Sequence, residues 1–81
     1  MEKKILKELQ EVIKNYISVN PEQLTLTCNL KKDLGLDSFD IICIVFDIEK
    51  KLNTSYLIEE VNKIETIEDL IQLIISKKES H

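Results

Sequence analysis

Apolar residues recur at three- and four-residue steps over the first segment of the chain: Ile5, Leu6, Leu9, Val12, Ile13, Tyr16 and Ile17. That spacing predicts one amphipathic helix from about Glu2 to Ser18. Its polar face sets Lys4 against Glu8 and Lys7 against Glu11 at i,i+4, each pair worth about 0.2–0.5 kcal/mol. Asn20-Pro21-Glu22 ends the segment and opens a turn, because Pro21 suits a first helical position but not a helix interior.

From Gln23 to Asp37 the helical period disappears, yet leucines continue at Leu24, Leu26, Leu30, Leu34 and Leu36. A connection of this length that keeps depositing leucines is expected to pack over the core. Gly35, the only glycine, marks a backbone position where other residues would be strained. Asp37 or Ser38 then makes a good N-cap for a second helix running through Phe39–Leu52, and Asp40 in its first turn complements the helix dipole. The apolar residues of this helix cover more than one face, so some are expected to stay exposed. Asn53-Thr54-Ser55 breaks it.

A short helix is expected around Leu57 to Asn62. Thr66 to Asp69 has capping-box form ahead of Ile67, Leu70, Ile71, Ile74 and Ile75, which predicts a last helix to about Lys77. Lys77 and Lys78 complement its C-terminal dipole. The expected architecture is all-α: a small four-helix bundle with three main helices and a short third one.

Composition narrows the picture. Eighty-one residues make one domain, 1–81, with no room for a second core. Aromatics are 5%, and one Gly and one Pro are too few turn residues for an all-β fold. No apolar run is long enough for a transmembrane helix, and the Met1-Glu2-Lys3-Lys4 start lacks the apolar stretch of a signal peptide, so a cytoplasmic location is expected.

The net charge of −4 argues against nucleic acid as a main partner. It is also localised. Asp33, Asp37, Asp40, Asp47 and Glu49 lie in one stretch without a lysine, whereas the rest of the chain carries ten acids against eleven lysines. Such a patch steers a basic partner. Cys28 and Cys43 lie fifteen residues apart with no nearby His, which points to free thiols and no metal site.

Candidate chemistry converges on Ser38. A nucleophilic serine needs a base to take its proton, and the only histidine is the terminal His81. Asp37 and Asp40 lack the deep cleft that would tune them for acid–base work. No catalytic residues and no enzyme activity are therefore expected. The stretch Asp33-Leu34-Gly35-Leu36-Asp37-Ser38-Phe39-Asp40, however, resembles the attachment motif of acyl carrier proteins, commonly D-L-G-x-D-S-L-x, with Phe39 in place of the usual Leu. The resemblance extends over nearly the whole chain, through the first amphipathic helix, the Pro21-Glu22 turn, the leucine-bearing loop and the Lys63-Ile64-Glu65-Thr66-Ile67 approach to the last helix.

The resemblance implies that Ser38 is esterified by 4′-phosphopantetheine, which a separate phosphopantetheinyl transferase donates from coenzyme A using Mg²⁺. The arm's thiol would then hold acyl intermediates as thioesters, for fatty-acid or specialised acyl or polyketide-like biosynthesis. A phosphodiester at a helix N-terminus meets free N–H groups and the positive dipole end, so the placement is physically sound. The resemblance also makes the second helix the recognition surface for acyl-loading and acyl-processing enzymes with basic docking surfaces. Asp37, Asp40 and Glu49 carry over to acidic family positions, and Phe39 and Ile41 join them as partner-recognition candidates.

This chain departs from the family pattern at Ile41, at Cys43 and at Lys50-Lys51, where small polar or acidic residues are common. Extra exposed apolar character is expected from Ile41 and Cys43. A narrower partner set would suit such a face. The family can sequester an acyl chain between its second and third helices, and the lining expected here includes Val45, Phe46, Val61, Ile64 and Ile71. Two other readings stay open: a peptidyl or aminoacyl carrier, less favoured because Gly35-Leu36-Asp37-Ser38 lacks the Gly-Gly-x-Ser form, and an unmodified helical adaptor that docks through its second helix. A monomer without membrane insertion is the default expectation.

Overall fold

The computed structural model describes residues 2–79. Four α-helices run in the order α1 (Glu2–Lys14), α2 (Ser38–Leu52), α3 (Ile58–Asn62) and α4 (Ile67–Glu79), with one 3₁₀ turn at Pro21–Gln23. The all-α expectation of three main helices and a short third holds. Met1 of the N-terminal segment and the terminal His81 lie outside the described residues.

One face of each long helix supplies the core. Ile5, Leu9, Val12 and Ile13 come from α1, Ile41, Ile44, Val45 and Ile48 from α2, and Ile67, Leu70, Ile71 and Ile74 from α4. α1 packs on both α2 and α4, and α3 packs on α2. As expected, the long loop is part of the core: Leu24, Cys28, Leu30 and Leu36 are buried in it.

Backbone hydrogen bonds explain how a loop this long stays fixed. Leu30 N–H donates to Glu65 O (2.9 Å), Ile67 N–H to Cys28 O (3.0 Å) and Glu68 N–H to Leu26 O (2.9 Å). These clip residues 26–30 to the start of α4. They satisfy loop groups that burial would otherwise leave unpaired.

Three boundaries differ from the sequence reading. α1 ends at Lys14, four residues before the expected Ser18. Its last turn tightens, with Asn15 N–H on Val12 O (3.1 Å) and Tyr16 N–H on Ile13 O (2.9 Å). Tyr16 then swings toward α2, where its hydroxyl donates to Asp47 Oδ2 and lies 3.2 Å from Cys43 O. α3 begins at Ile58, one residue after the expected Leu57. α4 continues to Glu79, starting from the expected capping box: Asp69 N–H donates to Thr66 Oγ1 and Thr66 N–H to Asp69 Oδ2, both at 3.1 Å.

The expectation for Ile41 is corrected. Ile41 is only 3% exposed, because it shares the core-facing stripe of α2 with Ile44, Val45 and Ile48 at i+3, i+4 and i+7. Cys43 is half-buried. The surplus apolar surface of α2 instead falls on Phe39 (63% exposed) and Phe46 (54%).

Candidate functional site: the serine that opens α2

The approach to Ser38 is built by a short run of local hydrogen bonds. The Asn29 side chain accepts from the N–H groups of Lys31 (3.0 Å) and Lys32 (2.9 Å), which forms an Asx-type turn. Asp33 Oδ2 in turn accepts from Asn29 N–H at 2.7 Å. Gly35 follows with φ +70, and a Cβ placed there would meet nothing within 4 Å. Its glycine is therefore required by the left-handed backbone, not by crowding. Leu36 is buried, and its N–H donates to Leu30 O at 3.1 Å. That anchors the chain two residues before α2.

Of the two candidate caps, Asp37 is the one used. Its carboxylate accepts from Asp40 N–H at 2.8 Å, and Asp40 Oδ2 accepts from Asp37 N–H at 3.2 Å. Ser38 is thereby left as the first helical residue, exposed to solvent. Among the described residues its hydroxyl has no hydrogen-bond partner. The N–H groups of Ser38 and Phe39 belong to the first turn, where no intrahelical acceptor exists. A free hydroxyl beside unfilled N–H donors at the positive end of a fifteen-residue helix suits a phosphodiester.

The other recognition candidates fall around this point in different ways. Phe39 projects into solvent next to Ser38, whereas Ile41 lies beneath it and lines a niche of about 10 Å³ with Ser38, Lys31, Val61, Asn62 and Ile64. Glu49 lies further along α2, and its Oε2 accepts from Tyr56 N–H at 2.8 Å, tying the α2–α3 loop down.

The expected acyl lining is divided. Val45, Phe46 and Val61 border an apolar pocket of about 140 Å³ between α2 and α3, together with Ile42, Glu49, Tyr56 and Ile58. Ile64 belongs to the small niche under Ser38, and Ile71 is fully buried in the core.

Two contributors were not found by reading the sequence. Tyr16 continues the apolar spacing of α1, yet its hydroxyl pins the end of α1 to α2. Lys31, seven residues before Ser38, reaches the niche because the Asn29 turn folds the loop back. The Asn29-x-x-x-Asp33 spacing is a visible signal for that turn.

Among the described residues there is no group of His, Cys, Asp and Glu that could hold a metal ion. Both cysteines are free, and burial, with a smaller contribution from Asp33, pushes the Cys28 thiol up from its ordinary value. Such a thiol is a poor nucleophile. No helix among the described residues is long and apolar enough to cross a membrane.

Comparison with known proteins gives a consistent answer. The family model described as "Phosphopantetheine attachment site" matches residues 7–74. The acyl carrier protein of Cylindrotheca sp. (strain N1) is 38% identical over 72 residues, covering 89% of this chain and 90% of its own. That of Wolinella succinogenes is 34% identical over 74 residues, covering 91% and 97%. The crystal structure of the acyl carrier protein from Thermotoga maritima superposes with a TM-score of 0.86 at 29% identity, covering 98% of this chain and 92% of that one. With a matching attachment-site model, similar relatives and a shared four-helix fold, this chain belongs to the acyl carrier protein family.

Proposed function

We propose that Ser38 bears the covalent 4′-phosphopantetheine through which this acyl carrier protein holds acyl intermediates as thioesters. The observation that carries this reading is the capping geometry. Asp37 caps α2, which leaves the Ser38 hydroxyl exposed and unengaged within the D-L-G-x-D-S pattern. In the transfer, Ser38 Oγ bonds to the phosphorus that carries the pantetheine arm in coenzyme A, and the pyrophosphate bond breaks. Adenosine 3′,5′-bisphosphate leaves, and the serine proton passes to a base on the transferase. The carrier supplies the hydroxyl and its presentation, and the arm supplies the thiol.

The phosphopantetheinyl transferase and the acyl-loading and acyl-processing enzymes then dock on the face around Ser38. Asp37, Asp40 and Phe39 border the serine, and their exposure or partial exposure supports a part in that contact. Glu49 contributes indirectly by holding the α2–α3 loop. The 140 Å³ pocket between α2 and α3 is similar in size to apolar cavities that hold a benzene-sized ligand, about 150 Å³, so it suits a short acyl chain.

The test is intact mass before and after incubation with coenzyme A, Mg²⁺ and a broad-specificity transferase, with Ser38→Ala in parallel. A gain of one arm in the wild type only is expected. An equal gain in Ser38→Ala would place the attachment elsewhere, and no gain in folded, initially unmodified wild type would sink the reading for that transferase.

A further inference from the structure

Lys31 stands beside the proposed attachment point. It lines the small niche with Ser38, and it also lines an adjoining polar hollow of about 200 Å³ with Asn29, Lys32, Asn62, Ile64 and Glu65. The two spaces share Lys31, Asn62 and Ile64, so the hollow adjoins the niche at Ser38 with Lys31 on the border of both. Among the described residues the Lys31 ammonium forms no salt bridge. Its backbone, by contrast, is fixed: Lys31 N–H donates to Asn29 Oδ1 and Lys31 O accepts from Gly35 N–H at 3.1 Å.

Charge makes this position consequential. A phosphodiester on Ser38 adds one negative charge in the first turn of α2, where the Asp37 and Asp40 carboxylates already lie, each on the other's backbone N–H. Like charges at that range repel, and the helix dipole offsets them only in part. Lys31, which lines the same niche as Ser38 and forms no salt bridge among the described residues, is the cationic side chain available there. Beyond it, the hollow offers the groups that a pantetheine arm needs. It is lined by Asn62, Glu65 and Lys32, residue types whose side chains carry the acceptors and donors that amide groups use.

We infer that Lys31 pairs with the phosphodiester on Ser38 and directs the resting arm into the polar hollow between the 29–32 turn and the end of α3, instead of along the apolar α2–α3 pocket. This rests on Ser38 being the attachment residue. Lys31 acts here as a positioning residue. Its side chain is exposed, so replacing it leaves the core intact.

The experiment uses ¹⁵N-labelled apo and holo protein as wild type, Lys31→Ala and Lys31→Arg, with intact mass confirming full loading at Ser38. In the wild type, apo-to-holo shift changes are expected at the backbone N–H groups of Asn62, Ile64 and Glu65 as well as beside Ser38, and the ³¹P resonance is broadened by motion shared with the protein. Lys31→Ala is expected to abolish the changes at Asn62, Ile64 and Glu65 and to sharpen the ³¹P line, while Lys31→Arg keeps both. Full loading with changes confined to the residues beside Ser38 in the wild type overturns this inference and leaves the attachment reading standing, and changes at Asn62, Ile64 and Glu65 that persist in Lys31→Ala overturn the role of Lys31. Absence of loading at Ser38 overturns the attachment reading and this inference with it.

Discussion

Asp37 and Asp40 hold each other by reciprocal main-chain contacts, Asp40 N–H on Asp37 Oδ1 at 2.8 Å and Asp37 N–H on Asp40 Oδ2 at 3.2 Å. The consequence falls on Ser38, the residue that follows the cap. A serine at this position in most helices would itself be the cap, with its hydroxyl committed to the backbone. Here two carboxylates do that work, and Ser38 begins the helix with its hydroxyl free.

The division of labour predicts opposite results for neighbouring substitutions. Asp37→Ala removes the cap and is expected to cost about 0.5–2 kcal/mol. Ser38→Ala loses no structural hydrogen bond and is expected to stay within about 0.5 kcal/mol of wild type. Urea denaturation of the unmodified proteins measures both. A loss in Ser38→Ala as large as in Asp37→Ala would mean that Ser38 is the cap.

Gly35 provides a second check on how the serine is presented. Its φ of +70 lies in the left-handed region and no neighbour would touch an added Cβ, so Gly35→Ala meets backbone strain alone, about 1–2 kcal/mol. Gly35→Asn is expected to lose less, because Asn tolerates that region. Thermal melts of the two variants give the order, and equal losses would point to crowding instead of strain.

The burial of Ile41 separates packing from recognition along α2. Ile41→Ala opens a cavity in the core and is expected to cost about 2–5 kcal/mol. Phe39→Ser, at a residue 63% exposed, is expected to change stability by about 0.5 kcal/mol or less. Denaturant midpoints measure the contrast, and a neutral Ile41→Ala would contradict its place in the core.

These residues also show which features were readable beforehand. Periodicity located the three long helices, because each needs one apolar stripe whatever its neighbours are. The Thr66–Asp69 cap was readable because it is local. In α2 the apolar residues exceed one stripe, so period alone left open which of them face inward. Where α1 and α3 settle decides that, and it puts Ile41 in the core and Phe39 and Phe46 outside. Tyr16 misled for a related reason: its spacing continues the α1 stripe, but its hydroxyl has a better site on α2, 31 residues away in sequence. The attachment motif marked Ser38 at once, whereas Lys31 came to light only when the loop was folded.

Tyr16 gives a spectroscopic prediction. Its hydrogen bond to Asp47, more than burial, pushes its ionisation up from 10.0 to about 12. The neutral phenol is the form the fold favours, so this contribution is fully present below pH 10 and is lost as pH rises toward 12. Absorbance titration of the phenolate is expected to move down in Asp47→Asn. An unchanged titration would mean that the hydrogen bond does not form in solution.

The attachment of α3 is expected to respond to acid in the opposite sense. Glu60 takes the Lys77 ammonium at 2.9 Å and accepts from Leu57 N–H at 2.9 Å, so it both starts α3 and ties it to α4. The bond from Lys77, followed by that from Leu57, holds its carboxyl below the ordinary 4.5. The ionised form is thus favoured by the fold, and its contribution is present above pH 4.5 and lost as pH falls through the lowered value. Because α3 contributes Val61 and Asn62 to the niche beside Ser38, its release would loosen the ground over which the arm lies. Amide hydrogen exchange at Val61 and Ile64, whose N–H groups bond to Leu57 O and Val61 O at 3.1 Å, is expected to gain an acid-dependent opening below pH 4.5, after correction for the intrinsic rate. Glu60→Gln should open α3 at neutral pH and abolish that step, whereas a step that survives in Glu60→Gln would belong to another carboxylate.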